Sequence, residues 1–145
     1  MQVSQGQPRV LVMPPRRACI VHGVADVAAV LEFAAGRDVA LLSAPGVAGY
    51  LGVAGFAALL QAHGALPRGI LDAGDAPGHA LAALRAGFAA VILSPALPAY
   101  AALAVLAEGM GARLLPQPPM ALDLARVDLR KAKGRLHLAR WLDLP

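Results

Sequence analysis

In this sequence a polar side chain repeatedly follows a short apolar run: His22 after Ala18-Cys19-Ile20-Val21, Ser43 after Val39-Ala40-Leu41-Leu42, Asp72 after Gly69-Ile70-Leu71, and Ser94 after Ala90-Val91-Ile92-Leu93. Gln117 stands in the same relation to the weaker run Arg113-Leu114-Leu115. If the runs are parallel strands, these residues share one edge, the carboxyl ends of the strands, where the ligand crevices of α/β folds lie. Asp72 is the candidate acid, base or hydroxyl-binding group, because a carboxylate at the end of a buried strand is costly unless a charge or hydrogen bond meets it. His22 is its expected catalytic partner. Ser43, Ser94 and Asp75 are candidates for ligand binding, and capping of the following helices is the plainer role that competes for each of them.

Glycines add a possible anion site. Gly46 and Gly78 lie where helices are expected to begin after a strand, and the free amides there attract negative charge. Gly46, Gly49, Gly52 and Gly55 recur at every third position. Each glycine inside a helix costs about 1 kcal/mol against alanine, so the stripe predicts that another backbone packs closely on it. Its spacing is not that of the dinucleotide fingerprint, and no cofactor is assigned. Asp72, Asp75, His79 and His22 are suitable metal ligands by type, but their spacing matches no metal motif and no metal is assigned.

The elements that must position these residues follow from the alternation of apolar run, break and helical stretch, which is the pattern of a parallel sheet flanked by helices. Helices are expected with Val27, Val30, Leu31 and Ala34 on one stripe and Gly36 at the end, with Val53, Phe56 and Leu60 on another running to about His63, from Pro77 to Ala86, and from Pro98 to Glu108. Val10-Leu11-Val12 reads as an extra edge strand. The expected architecture is α/β, about five strand-helix units in a mainly parallel, Rossmann-like or flavodoxin-like three-layer arrangement over residues 1–121.

Residues 122–145 read differently. Apolar and polar residues alternate in 126–130 and again in 135–139 around Lys131-Ala132-Lys133-Gly134, which predicts a β-hairpin, with a basic helix as the alternative. Leu122, Leu124, Val127, Leu129, Leu136, Leu138, Trp141, Leu142 and Leu144 are too many large apolar side chains to be left in water, so this tail is expected in the interface of a homodimer or larger homo-oligomer, with folding back over the sheet edge of its own domain as the competing arrangement.

At 145 residues, 58% hydrophobic and 15% charged, the chain is long enough for one real core and is not disordered. Residues 39–67 and 86–107 lack Asp, Glu, Lys and Arg, yet Ser43-Ala44-Pro45-Gly46 and Ser94-Pro95 interrupt them, as strand followed by helix would require and a membrane span would not. The start, Met1 to Gln7, is polar and unlike a signal peptide. The single cysteine, Cys19, is expected to be a small buried hydrophobe in a reducing, cytoplasmic compartment. The net charge of +4 gathers near the two ends. Aspartates interrupt the cations of the tail and Trp141 is the one aromatic there, so nucleic acid is not expected as a partner.

Residues 80–93, Ala-Leu-Ala-Ala-Leu-Arg-Ala-Gly-Phe-Ala-Ala-Val-Ile-Leu, resemble the helix-to-strand units of phosphate-binding TIM-barrel enzymes, including the aldolase-like ones. The resemblance implies a phosphorylated ligand at a strand-end site and carries no catalytic residue over. The lysines, Lys131 and Lys133, lie in the tail rather than at a strand end where a Schiff base would form. The function expected is binding of a small, anionic or phosphorylated metabolite, with lyase-like or isomerase-like chemistry if the chain is an enzyme. The alternative is a non-catalytic assembly protein using the Gly-rich helix and the tail.

Overall fold

A computed structural model describes residue 11, residues 13–46 and residues 51–143. The strands are β1 (Ala18–Ile20), β2 (Ala40–Leu42), β3 (Gly69–Asp72), β4 (Ala90–Ile92), β5 (Arg113–Leu115) and β6 (Ala121–Asp123). The helices are α1 (Val24–Ala34), α2 (Gly52–Gln61), α3 (Pro77–Ala86), α4 (Tyr100–Gly109) and α5 (Ala132–Asp143), with short 3-10 turns at Leu66–Arg68 and Leu124–Arg126. The chain is an α/β protein with a six-stranded, wholly parallel sheet in the order β5-β4-β3-β2-β1-β6.

From β1 to β5 each strand is laid beside the last in one direction. Right-handed crossovers taken repeatedly in one direction deliver their helices to one face. That face buries Cys19, Leu41, Leu71 and Val91 against Val27 and Val30 of α1, Phe56 and Leu60 of α2, Ala83 and Leu84 of α3, and Leu138 and Leu142 of α5. The opposite face buries Ala18, Ala40, Leu42, Ile70, Ala90, Ile92 and Leu115 with Leu11 and Met13 from the N-terminal segment.

Residues 116–120 alone join β5, at one edge, to β6, at the other. An extended chain spans at most about 3.5 Å per residue, hence about 21 Å from Leu115 to Ala121. Six strands at about 4.8 Å spacing would hold the edges of a flat sheet about 24 Å apart, and the chain must also return the length of a strand. The sheet is therefore curled so that its edges approach, with the helices outside. The alanines Ala18, Ala40 and Ala90 suit the crowded concave face.

The tail corrects the hairpin expectation. β6 pairs in parallel with β1, and 132–143 is helix, so the basic-helix alternative holds there. Gly134, Leu138, Trp141 and Leu142 fall on one side of a 3.6-residue period, and Leu138 and Leu142 are buried in the chain's own core. The end of α5 is fastened to the amino end of β1: Trp141 Nε1 donates to the Ala18 carbonyl at 3.1 Å, and Arg17 Nη1 to the Leu142 carbonyl at 2.8 Å. Arg37 also donates to Leu142 and pairs with Asp143, placing cations at the negative end of the helix. Of the apolar tail residues invoked for a partner copy, Leu124, Val127, Leu138 and Leu142 are buried by the same chain, Leu136 is exposed, and Leu144 lies outside the described residues.

Two smaller expectations also change. The left-handed turn that ends α1 starts at Ala35 (φ 50°) and continues through Gly36. A Cβ on Gly52 would meet nothing within 4 Å and one on Gly55 only Leu51 Cβ at 3.4 Å, so no second helix packs on these glycines. Gly49, Val10 and Val12 lie outside the described residues.

Candidate functional site

Side chains alternate across a strand, so the burial pattern of each strand assigns the faces of its end residues. Ile20, Ile70, Ile92 and Ala121 belong to the concave face, hence so do His22, Asp72, Ser94 and Asp123, each an even number of residues further on. Ser43 is one residue past Leu42 and turns to the helical face, where it is wholly buried.

The shortest contact at this edge joins β1 and β6: His22 Nε2 lies 2.6 Å from Asp123 Oδ1. Register explains it, since Ile20 is paired with Asp123 and His22 reaches back from just beyond the strand end. The backbone of His22 donates to Asp26 Oδ2 at 2.8 Å, which ties the residue to the first turn of α1. Asp123 Oδ1 also accepts from Ala125 N at 3.0 Å. With Nε2–H donating to the carboxylate, Nδ1 keeps its lone pair and faces no hydrogen-bond donor among the described residues. Both side chains are about one-third exposed, 36% and 33%, so a ligand can reach them.

Partial burial pushes the Asp123 carboxyl up, but the hydrogen bonds from His22 and Ala125 and the charges of His22 and Arg126 outweigh it and hold the group below the usual carboxylate range. A depressed folded-state pKa gives stability that is complete above the unfolded value, about 3.9, and is lost as pH falls through the folded value. Asp123→Asn should therefore flatten the acid limb of the stability curve. Urea midpoints measured between about pH 5 and about pH 2 check this, and they should fall less steeply in the variant than in the native chain.

The pairing of His22 with Asp72 expected from sequence is not what forms. Ile20 is level with Leu42 and Leu42 with Ile70, so His22 and Asp72 stand at one height with β2 between them, about 10 Å apart along the sheet. Asp72 Oδ1 accepts from Gly74 N at 2.9 Å, while its amide donates to Ser43 Oγ at 2.9 Å. Ser43 thus joins β2 to β3 inside the fold. Ser94 Oγ accepts from Ala96 N at 3.4 Å and is half-buried.

Asp75 is exposed and does not cap α3, whose N-cap is Ala76 without a side-chain bond. Gly78 and His79 are exposed in the first turn of that helix. Gly46 lies in an exposed turn at φ 80°, and residues 47–50 after it are outside the described residues. Gln117 is exposed. Among the described residues no three His, Cys, Asp or Glu side chains converge as a metal site. Burial pushes the Cys19 thiol up to about 12, which suits a packing role and not a nucleophile. No described helix is long and apolar enough to cross a membrane.

Comparison with protein-family models, curated proteins and solved structures finds no match. The site therefore rests on its own chemistry. The winding of the sheet singles out the same place: the chain proceeds from β1 to β5 on one side and returns to place β6 on the other, so β1 and β6 flank the point where strand order reverses. Sequence reasoning missed Asp123 because it was counted among the tail's charges. The available signal was Ala121-Leu122-Asp123, an apolar pair ending in an aspartate like Ile70-Leu71-Asp72.

Proposed function

We propose that this chain binds a small anionic metabolite at the carboxyl edge of its sheet, between the His22–Asp123 pair and Asp72, and that as an enzyme it moves a proton there in a lyase-type or isomerase-type reaction. The 2.6 Å contact of His22 with Asp123 carries the reading. A carboxylate on one ring nitrogen orients the imidazole and stabilises its charged form, which leaves the other nitrogen to take and return a proton. Asp72, about 10 Å away on the same face, suits a ligand hydroxyl or ammonium at the far end of a molecule of metabolite length. Its setting is a single-cysteine protein of a reducing, cytoplasmic compartment.

A thermal-shift screen of phosphorylated and carboxylated metabolites tests this, since a ligand that binds only the native state raises its melting temperature. The expected result is a hit whose shift is lost in His22→Ala and reduced in Asp72→Asn. Hits that shift all three proteins equally, or none, would contradict it.

A second reading, assembly without catalysis, draws on Val105, 72% exposed, with Leu106 and Met110 on or just after α4, next to the edge strand β5. A homo-oligomer using that face would dissociate on Val105→Asp, as read by light scattering.

A further inference from the structure

Replacing the expected hairpin by a helix changes what the tail's cations do. α5 begins at the carboxyl edge after β6 and runs back to the amino end of β1, where Trp141 and Leu142 are fastened. Lys133, His137 and Arg140 are spaced i, i+4 and i+7 and therefore share one stripe of α5, opposite the buried Leu138 and Leu142. That stripe, with Arg126 and Lys131, lines a hollow of about 370 Å³ whose remaining walls include Val127 and Leu136.

The turn before α5 is built to hold this shape. Asp128 accepts from Arg130 N and pairs with the Arg130 guanidinium, Lys131 N donates to the Asp128 carbonyl, and Arg135 Nη1 donates to the carbonyls of Leu129 and Arg130. Gly134 lets the helix lie directly on the Asp128 peptide, because a Cβ there would collide with its carbonyl. The one carboxylate at the hollow, Asp128, is already engaged by Arg130. Lys131, Lys133 and Arg140 make no ion pair among the described residues.

We propose that this hollow is an anion site that takes the phosphate of a phosphorylated small molecule, with Lys131, Lys133 and Arg140 as its charged ligands, His137 at its wall and Val127 and Leu136 against the molecule's apolar part. Arg126, at the wall of the hollow, lies three residues beyond Asp123, and its charge acts on the Asp123 carboxyl. The inference deepens the function proposed above, resting on it only for what the other end of the molecule does.

Inorganic pyrophosphate titrated into the full chain at low salt, followed by amide NMR, tests the site. Saturable shifts are expected at the amides around Lys131 to Arg140. Lys133→Ala combined with Arg140→Ala should weaken binding at least about tenfold, as loss of two charge-assisted contacts implies. The remote, exposed Arg113→Ala should leave it unchanged, and because pyrophosphate carries no group for the His22–Asp123 pair to act on, a failed proton-transfer reading and a failed anion site give different results. Absence of saturation, equal weakening by Arg113→Ala, or binding of long duplex nucleic acid without binding of pyrophosphate would overturn the proposal.

Discussion

Leu138→Ala is expected to lower the unfolding free energy by about 2–5 kcal/mol, whereas Leu136→Ala should change it by about 0.5 kcal/mol or less. Leu138 is wholly buried between α5 and the rest of the helical layer, and Leu136 is 50% exposed. Removing the Leu138 side chain costs the transfer free energy of its methyl groups and leaves a cavity that a helix fastened at its end cannot close. The pair discriminates between the two forms of the tail. In a hairpin, residues two apart face the same side and both leucines would count, whereas in a helix they point apart. Urea denaturation of both variants measures the difference, and equal losses would contradict the helix.

Phe88→Ala should cost about 3–5 kcal/mol and lower the melting temperature by roughly 10 °C, the second large effect. Phe88 is 1% exposed and lies stacked on Phe56 of α2, with ring centroids 5.8 Å apart and planes inclined by 7°. Room for it comes from Gly69 at the start of β3, where a Cβ would lie 3.0 Å from the Phe88 ring and 2.5 Å from Leu60 Cδ1. The loss therefore opens a gap where α2 and β3 meet. The exposed Val105→Ala serves as the control and should change stability little.

Much of the fold is legible in the sequence because the first four strands are short apolar runs and the first two helices carry clear stripes. Burial on both faces makes strands read as unbroken runs, so β2 and β4 could be placed almost to the residue. The tail was illegible for a physical reason: a segment such as Arg135-Leu136-His137-Leu138 satisfies period two, and only the longer span from Gly134 to Leu142 reveals the helical stripe. Gly134 looked like a turn residue, but its role is to bring α5 onto the Asp128 backbone.

The site was half legible. The edge followed from the alternation of elements, and His22 and Asp72 both reached it on one face. Partnership across the sheet did not follow, because it depends on strand order: β6 returns beside β1 and brings Asp123 to His22, while β2 keeps Asp72 a strand away. No local pattern carries that information. Ser43 fell on the other face because it follows Leu42, which is level with Ile20, by one residue, whereas His22 follows Ile20 by two.

The most direct test of the chemistry is the position of the proton on the His22 ring, read by long-range nitrogen-proton NMR. A ring held by Asp123 should carry its proton on Nε2 and leave Nδ1 bare, and Asp123→Asn should remove that preference. A proton found on Nδ1 in the native chain, or a pattern unchanged by Asp123→Asn, would contradict the pair on which the proposed chemistry depends.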